Sequence, residues 1–303
     1  MVDILMATYN GEKYITAQIY SLLYQSCCDI RIIIHDDGSS DKTVDIVNEI
    51  SKTDKRIMLI NDGIKCGSAG KNFIHLLRYS NAKFIMFCDQ DDIWFNNKVD
   101  LMLNEIKKYS QECPLVIYSN SYIWHANKGI EGVLQQNGTK ALRDFLFLNC
   151  GVQGCASIFN DKMRDELLKW TGNISMHDHL LQMIGVTFGN IYYMESSLML
   201  YRRHSASVTA SMSIKASIRE RLIKNKTLPV VSIIHLNTIK KFFTIYLPLL
   251  SSQDRVLIRE YISMTQMNTA KRILTVLRNR FRIYNSVVAL IVKILLRPYL
   301  GKI

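Results

Sequence analysis

The first 110 residues alternate between short apolar runs and segments in which apolar residues recur at helical spacing. The runs predict strands, and the spacing between them predicts helices. The predicted strands are residues 3–8, 31–35, 56–60 and 84–88. The predicted helices are residues 14–25, a segment through Val44 and Ile50 that Ser39, Ser40 and Asp41 can cap, and residues 71–79 and 97–109. This alternation predicts an α/β fold with a mostly parallel sheet flanked by helices.

The pattern changes twice after residue 110. Residues 111–210 combine predicted strands at 115–119 and 191–195 with a helix at 162–170 and glycine-containing loops. We interpret them as the second half of the same domain, which then covers residues 1–210. In residues 211–303 the spacing of apolar residues predicts only helices, at 214–223, 239–250, 254–267 and 272–296. The chain therefore divides into an α/β domain and a C-terminal helical region.

Three polar clusters follow predicted strands. They are Thr8-Tyr9-Asn10, Asp36-Asp37-Gly38-Ser39 and Asp89-Gln90-Asp91-Asp92. Parallel α/β sheets bind ligands beyond the carboxyl ends of their strands. We therefore expect the three clusters to form one site, although they are far apart in sequence.

The third cluster has the chemistry of a cation site. Carboxylates hold hard divalent cations such as Mg²⁺, which bridge the oxygens of a nucleotide diphosphate and stabilise it as a leaving group. A polar loop with helix-capping aspartates explains the same residues equally well, and the second cluster alone is typical of a tight turn.

Charge is distributed unevenly along the chain. The net charge is +12, yet residues 211–303 alone carry 17 Lys and Arg against 3 Asp and Glu. A basic region of this kind favours a polyanion as partner, either an anionic membrane, a nucleic acid or a phosphorylated substrate.

Seven cysteines without framework spacing indicate reduced thiols in the cytoplasm. The chain opens on a predicted strand, so no signal peptide is expected. The apolar segment 287–296 is too short for a membrane span.

The motifs together resemble those of family 2 glycosyltransferases, which have the GT-A fold. The resemblance covers roughly residues 1–205 and rests on MATYNGEKYI, IIHDDGSSDKT, GSAGKNF, FCDQDDIWFNNK, MHDH and YRRHS. FCDQDDIW and the overall layout are most similar to bacterial rhamnosyltransferases of O-antigen and other surface polysaccharides. The resemblance implies a nucleotide-binding half at residues 1–110 and an acceptor half at 111–210.

The resemblance also implies roles for residues that contact the donor. Thr8, Tyr9 and Asp37 match a nucleoside pocket in which the tyrosine stacks on the base and the aspartate accepts a hydrogen bond from it. Lys71 occupies a donor-contacting position where many relatives have arginine, and lysine lacks the bidentate fork. Asp89 matches a ribose or sugar contact.

A second group matches the metal and the leaving diphosphate. Asp91 corresponds to the ligand of Mg²⁺ or Mn²⁺, and His204 to a residue that helps hold the metal or diphosphate. Arg202 and Arg203 add positive charge there, while a basic surface loop is the other interpretation. Asp92 either assists or caps a helix.

A third group matches the acceptor side. Asp178 corresponds to the general base that deprotonates the acceptor hydroxyl, although His-Asp-His alone also suits a metal site or a helix start. Gly154, in the loop at residues 151–157, lets the acceptor approach closely. Trp94 is expected in the acceptor platform or, as a buried aromatic, in the core.

The resemblance leads to one functional expectation. It is inverting, metal-assisted transfer, with L-rhamnose from dTDP-L-rhamnose moved onto an oligosaccharide linked to polyprenyl diphosphate. The alternatives are another hexose from a UDP-sugar and a non-catalytic binding protein on the same fold.

The basic helices are expected either to lie peripherally on the inner face of the cell membrane or to form an ordinary helical subdomain. Arg278, Arg280, Arg282, Lys293 and Arg297 carry this expectation. Nucleic acid is not an expected partner, because no recognition motif accompanies the charge.

Overall fold

Nine strands within the described residues form one mixed sheet. The computed structural model describes residues 1–134, 141–147, 152–204, 228–283 and 286–301. The strands are β1 (Val2–Thr8), β2 (Ile30–Asp36), β3 (Ile57–Ile60), β4 (Phe84–Cys88), β5 (Ile93–Trp94), β6 (Leu115–His125), β7 (Gly129–Val133), β8 (Ser157–Asn160) and β9 (Asn190–Arg202). Their order is β3-β2-β1-β4-β8-β6-β9-β5, with β7 paired to β6. The first four strands in this order are mutually parallel, whereas the second half is mixed.

Helices cover both faces of the sheet. They are α1 (Ile15–Leu23), α2 (Thr43–Ser51), α3 (Ala69–Leu76), α4 (Lys98–Ile106), α5 (Asp161–Leu167), α6 (His177–Thr187), α7 (Ile233–Tyr246), α8 (Ser252–Ser263), α9 (Thr269–Asn279) and α10 (Val287–Leu296). One hydrophobic cluster joins α1, α2 and α4 to the sheet, and a second joins α3, α5 and α6 to the opposite face.

The register of the parallel strands aligns their polar ends. Thr8 lies opposite Asp36 in the pairing of β1 with β2. Met6 lies opposite Cys88 in the pairing of β1 with β4, so Asp89 follows at the same edge. The expectation that three separate clusters meet at one edge of the sheet is therefore confirmed at the level of the backbone.

The C-terminal helices pack on the face that carries α5 and α6. The Tyr246 hydroxyl on α7 donates to the carbonyl of Glu166 at 2.7 Å, and Ser175 N donates to Thr238 Oγ1 at 3.0 Å. Apolar residues of α7 to α10 belong to the same buried cluster as α6. The helical region is thus continuous with the core of the sheet.

The prediction of a single helix at residues 272–296 is wrong, because the segment forms α9 and α10. Arg280 ends α9 in the left-handed conformation at φ 53°, and Phe281 turns into the core. Ser286 then caps α10 by accepting from Ala289 N.

Three predictions lie outside the described residues. They are the helix at 214–223, the role of Gly151 and the boundary near residue 210. Among the helices that are described, none is both long and apolar enough to cross a bilayer.

Candidate active site

The loop of residues 89–92, here called the acidic loop, is attached to the end of β9. His204 Nε2 lies 2.8 Å from Asp91 Oδ2. The backbone N–H of Arg202 donates to Asp92 Oδ1 at 2.9 Å, and its Nε donates to the carbonyl of Asp91 at 2.6 Å. The Arg202 guanidinium also lies 4.1 Å from the ring centroid of Trp124. Two motifs separated by over a hundred residues therefore form one structural unit.

Gln90 connects the acidic loop to the end of β1. Its side chain accepts from Tyr9 N and donates to Tyr9 O, both at 2.9 Å. This reciprocal pair leaves the Tyr9 ring 57% exposed. A Cβ added to Gly11 would lie 2.3 Å from Gln90 Oε1, so a larger residue there would displace the Gln90 amide from Tyr9. The sequence interpretation gave Gln90 no role; its position between two aspartates of the motif was the available signal.

The loops after β1 and β2 are held together by side chains. Thr8 Oγ1 donates to Asp36 Oδ2 at 2.8 Å. Asn10, with φ 48°, donates from its backbone N–H to Ser39 Oγ at 2.8 Å and accepts from Ser40 N at the same distance. The first two polar clusters therefore form a preorganised rim next to the acidic loop.

Asp37 and Lys71 extend this rim towards loop 61–67 and the start of α3. Asp37 Oδ1 accepts from the backbone N–H groups of Cys66 and Gly67, the second at 3.0 Å. Lys71 lies in the first turn of α3, where its N–H donates to the cap Ser68 at 3.4 Å. The carboxylate is thus engaged by loop 61–67, the segment between β3 and α3.

The acceptor-side residues meet where α6 begins. Asp178 lies in the first turn of α6 and is largely buried. A Cβ on Gly154 would lie 2.4 Å from His177 Nε2, and one on Gly70 would lie 3.5 Å from His177 N. The Gly154 segment and the start of α3 therefore both contact the start of α6, which places Lys71 and Asp178 in neighbouring helical turns.

Lys98 is fully buried behind the acidic loop, a feature that the sequence interpretation missed. Its Nζ donates to the carbonyl of Cys155 at 2.6 Å and lies 3.5 Å from the ring centroid of Trp94. Burial lowers the pKa of Lys98 to about 8, although nearby Asp92 and Asp89 oppose the shift. The available signal was helical spacing, because Lys98 precedes the buried Met102 and Ile106 at intervals of four residues.

Trp94 itself is only 3% exposed. Its backbone pairs with Met199 in the short ladder between β5 and β9, and the Lys98 ammonium covers its ring. The structure therefore places Trp94 in the core beneath the site, not at the surface. Its expected part in acceptor binding stays a prediction.

The acidic loop accumulates negative charge in a desolvated position. Burial, followed by the charge of Asp91, raises the pKa of both Asp89 and Asp92. Asp92 Oδ2 is buried without a hydrogen-bond partner. A positive ion at the loop would relieve this repulsion, and the Asp91 carboxylate is the kind of ligand that Mg²⁺ and Mn²⁺ prefer, with the His204 imidazole beside it as a nitrogen donor. The residues therefore fit a divalent cation held by Asp91 and His204.

Comparison with known proteins identifies the family. The model of the glycosyl transferase family 2 matches residues 3–167. A dTDP-rhamnosyl transferase, RfbG of Shigella flexneri, is 32% identical over 235 residues, which cover 73% of this chain and 80% of the relative. The chain belongs to glycosyl transferase family 2. The expected family membership is thereby confirmed.

Two further similarities bear on this glycosyltransferase. WfgD of Escherichia coli, a UDP-Glc:alpha-D-GlcNAc-diphosphoundecaprenol beta-1,3-glucosyltransferase, is 33% identical over 162 residues, covering 54% of this chain and 60% of the relative. The crystal structure of S. aureus TarS 1-349 in complex with UDP-GlcNAc aligns with a TM-score of 0.62 at 16% identity, covering 90% of this chain and 75% of that one. The expected GT-A fold with C-terminal helices is confirmed.

Proposed function

We propose that this glycosyltransferase transfers L-rhamnose from dTDP-L-rhamnose, with inversion, to a lipid-linked oligosaccharide during surface polysaccharide synthesis. The observation that carries the proposal is the contact between Asp91 and His204 at 2.8 Å. It joins the acidic loop, which belongs to the nucleotide-binding half, to the residues after β9, which belong to the acceptor half. The similarity to the Shigella rhamnosyltransferase supports the choice of donor.

At the donor end, the exposed ring of Tyr9 stacks on the base and Asp37 accepts from it. Thr8 supports Asp37 indirectly, since its hydroxyl holds the neighbouring Asp36. Lys71 supplies a point charge at the start of α3. Asp89, next to the bound sugar nucleotide, accepts from a ribose or sugar hydroxyl.

At the leaving group, Asp91 and His204 hold a divalent cation, and the Arg202 guanidinium adds positive charge. When bound there, Mg²⁺ or Mn²⁺ supplies Lewis-acid stabilisation of the departing diphosphate. Arg202 is fixed between the Asp91 carbonyl and the ring of Trp124, so its position changes little on donor binding. The preorganised charge lowers the cost of separating the diphosphate from the sugar.

Asp178 performs the proton transfer. The acceptor oxygen forms a bond to the anomeric carbon while the bond from that carbon to the diphosphate oxygen breaks. The proton of the acceptor hydroxyl passes to the Asp178 carboxylate, and the electron pair of the broken bond stays on the diphosphate. Gly154 packs against the His177 ring at the start of α6, where a side chain would collide with the imidazole, and so supports the position of the neighbouring Asp178.

A UDP-hexose is the alternative donor. The 33% identity to the Escherichia coli glucosyltransferase favours it, although that match covers a smaller share of this chain than the rhamnosyltransferase does. The same relative is named for a diphosphoundecaprenol acceptor, which supports a lipid-linked acceptor for either donor.

A lipid-linked acceptor requires access to the membrane, and we assign that contact to exposed apolar positions on the last two helices. Leu274 on α9 is 65% exposed, and Val288 on α10 is 68% exposed. Several of the basic residues expected to meet lipid are engaged within the protein: Lys293 is buried against the Val230 carbonyl, Arg282 pairs with the buried Asp144, and the exposed Arg278 pairs with Glu260. Exposed Arg280 remains available at the end of α9, so the proposed peripheral contact rests more on apolar side chains than on charge.

The proposal is tested by screening sugar nucleotides for nucleoside diphosphate release with and without Mn²⁺ or Mg²⁺. Metal-dependent release of dTDP from dTDP-L-rhamnose, faster than release of UDP from any UDP-hexose, is the expected result. Preference for a UDP-sugar selects the alternative donor. Asp178→Asn should bind donor normally and lose transfer, with Asp161→Asn on α5 as the matched control. If no sugar nucleotide binds or reacts, the proposed function is wrong.

A further inference from the structure

A second group of metal-ligating side chains lies outside the active site, between β2, loop 61–67 and α3. It consists of His35, Asp62 and His75, whose ligand atoms all lie within 4.8 Å of one another. His35 Nε2 is 3.2 Å from Asp62 Oδ1, and His75 Nε2 is 2.6 Å from Asp62 Oδ2. The proposed transfer reaction uses none of these residues.

The hydrogen bonds of Asn72 determine which nitrogen of His35 carries the proton. Asn72 Nδ2 donates to the carbonyl of His35 at 3.0 Å, which fixes the orientation of the amide. Its Oδ1 therefore faces His35 Nδ1 at 2.7 Å and can only accept, so Nδ1 is protonated. In a neutral imidazole, Nε2 then directs a lone pair towards the Asp62 carboxylate.

Two acceptors that face each other at 3.2 Å need a positive charge between them, which either a proton on Nε2 or a bound metal ion supplies. An Nδ1–H bound to an amide carbonyl is also the support that metal-ligating histidines usually have, because it fixes the tautomer and orientation of the ring. Asp62 is held in place for the same role, because Ile64 N donates to its Oδ1 at 2.9 Å and the Tyr79 hydroxyl donates to its Oδ2 at 2.7 Å.

We propose that His35, Asp62 and His75 bind a zinc-type divalent cation. Two imidazoles and one carboxylate form a ligand set typical of zinc with one position open to water. Zinc bonds of about 2.0–2.2 Å at tetrahedral angles separate neighbouring ligand atoms by about 3.4 Å. The contact between His35 and Asp62 already has nearly this length, and the His75 contact has to lengthen by about 0.8 Å.

A cavity next to the group provides access for the ion. It has a volume of about 190 Å³ and is lined by His35, Asp62 and the neighbouring loop residues Gly63 and Lys65. A water molecule occupies about 30 Å³ in the liquid, so the cavity accommodates a fourth, aqueous ligand. Entry does not require opening of the core.

The ion connects three elements beside the nucleoside pocket. His35 belongs to β2 two residues before Asp37, His75 belongs to α3, and Asp62 starts the loop whose N–H groups at Cys66 and Gly67 hold Asp37. A cation here therefore fixes loop 61–67 against the sheet. Its role is structural and separate from the cation proposed at the acidic loop.

The test measures Zn²⁺ binding directly, in the full chain carrying Asp91→Ala and His204→Ala to remove the other candidate cation site. Metal-free protein is titrated with Zn²⁺ by calorimetry, and the bound zinc is counted after gel filtration. One tight zinc per chain is expected. His75→Gln should weaken this binding by more than about 100-fold, since it replaces a ligand of a three-ligand site. His125→Gln is the matched control, because His125 lies 3.0 Å from Glu131 and does not belong to the group of His35, Asp62 and His75.

Co²⁺ provides an independent readout. Substitution at a tetrahedral site should give visible absorption bands that disappear in His75→Gln and persist in His125→Gln. Circular dichroism of each metal-free variant establishes that it is folded, and His35→Gln replaces His75→Gln if the latter does not fold. Zinc binding that is absent, or equally tight in the ligand variants, overturns the proposal. Because none of these measurements involves sugar transfer, their outcome is independent of the proposed function.

Discussion

His204 Nε2 lies 2.8 Å from Asp91 Oδ2, although 113 positions separate the two residues. The contact joins the loop after β4 to the end of β9, the last strand of the sheet in sequence. The two side chains are in direct hydrogen-bond contact, so a cation held by both would replace this bond. We therefore expect the two residues to act together on metal affinity.

Replacing His204 by alanine should weaken Mn²⁺ activation by about 10–100-fold while leaving the fold intact, since the residue is partly exposed. The measurement is the concentration of Mn²⁺ that gives half-maximal nucleotide release. His125→Ala, which removes a surface histidine from a similar pair, should leave that concentration unchanged. An unchanged Mn²⁺ requirement in His204→Ala would move the cation elsewhere.

Gly11→Ala should raise the KM for the donor about tenfold and destabilise the chain by about 1–3 kcal/mol. The added methyl group would meet Gln90 Oε1 at 2.3 Å and break the pair that positions Tyr9. Donor titration and urea unfolding report the two effects. Gly132→Ala is the control, because a Cβ there meets nothing within 4 Å. Equal behaviour of the two variants would exclude a positioning role for Gln90.

Lys98→Met should cost about 3–5 kcal/mol of stability, because it removes the buried cation next to Asp89 and Asp92. Methionine has a similar length and keeps the packing against Trp94, so the loss reports charge and not volume. Equilibrium unfolding in urea measures it. Lys108→Met is the comparison: this exposed lysine pairs with Glu105 at the surface and should show no measurable loss.

Acid should destabilise the protein through two buried histidines. Burial lowers the pKa of His177 and of His179 to about 3, against an ordinary value of 6.5. In the unfolded chain, His177 and His179 are therefore protonated below about pH 6.5. In the folded chain, they become protonated only near pH 3. Their contribution to stability is complete above pH 6.5 and declines as the pH falls, by about 2–3 kcal/mol per pH unit between pH 6 and 4.

The free energy of unfolding, measured by urea titration at several pH values, checks this slope. His179→Gln should reduce it by about half, since glutamine is uncharged and can still donate to the Phe145 carbonyl that His179 Nε2 approaches at 2.7 Å. His125→Gln, at a partly exposed position, should leave the slope as it is. If His179→Gln has the same slope as the unmodified chain, the buried histidine is not the source of the acid sensitivity.

Membrane contact should depend on Leu274 and Val288. Replacing both by glutamate removes exposed apolar area from α9 and α10 and adds negative charge, so sedimentation with anionic phosphatidylglycerol vesicles should fall at least about tenfold. Val256→Glu on α8 is the control, because that valine is similarly exposed on another helix. Retained sedimentation of the double variant would place the contact on a different surface, and binding to duplex DNA would favour a nucleic acid.

Much of the fold could be predicted from the sequence because its parallel strands are buried on both faces. Such strands are continuous apolar runs, and the run at 84–88 coincides with β4 from end to end. The longer strands β6 and β9 were recognised only in their apolar first halves. The later parts of both strands mix polar and apolar residues, so a continuous apolar run no longer marks them.

The rim of the site could be predicted, because its motifs directly follow strands. The buried residues beneath the rim could not. Polar clusters at strand ends indicate where ligands bind. Lys98 escaped notice because lysine is almost never buried without partners, and its partners, the Cys155 carbonyl and the Trp94 ring, come from distant parts of the chain. The turn at Arg280 was missed for a related reason: a non-glycine residue with positive φ carries no local sequence signal.

The pairing of β9 with β6 determines where the chain tolerates changes in length. Tyr193 lies opposite Tyr118 and Leu200 opposite Tyr122, so β9 carries more residues than β6 over the same span. Side chains alternate between the faces of a strand, and a shift by one residue sends each to the opposite face. A single insertion or deletion at residues 194–201 would therefore turn Arg202 away from the acidic loop and displace His204. The hairpin turn at residues 126–128 would absorb the same change, so natural length variation among relatives is expected there and not at residues 194–201.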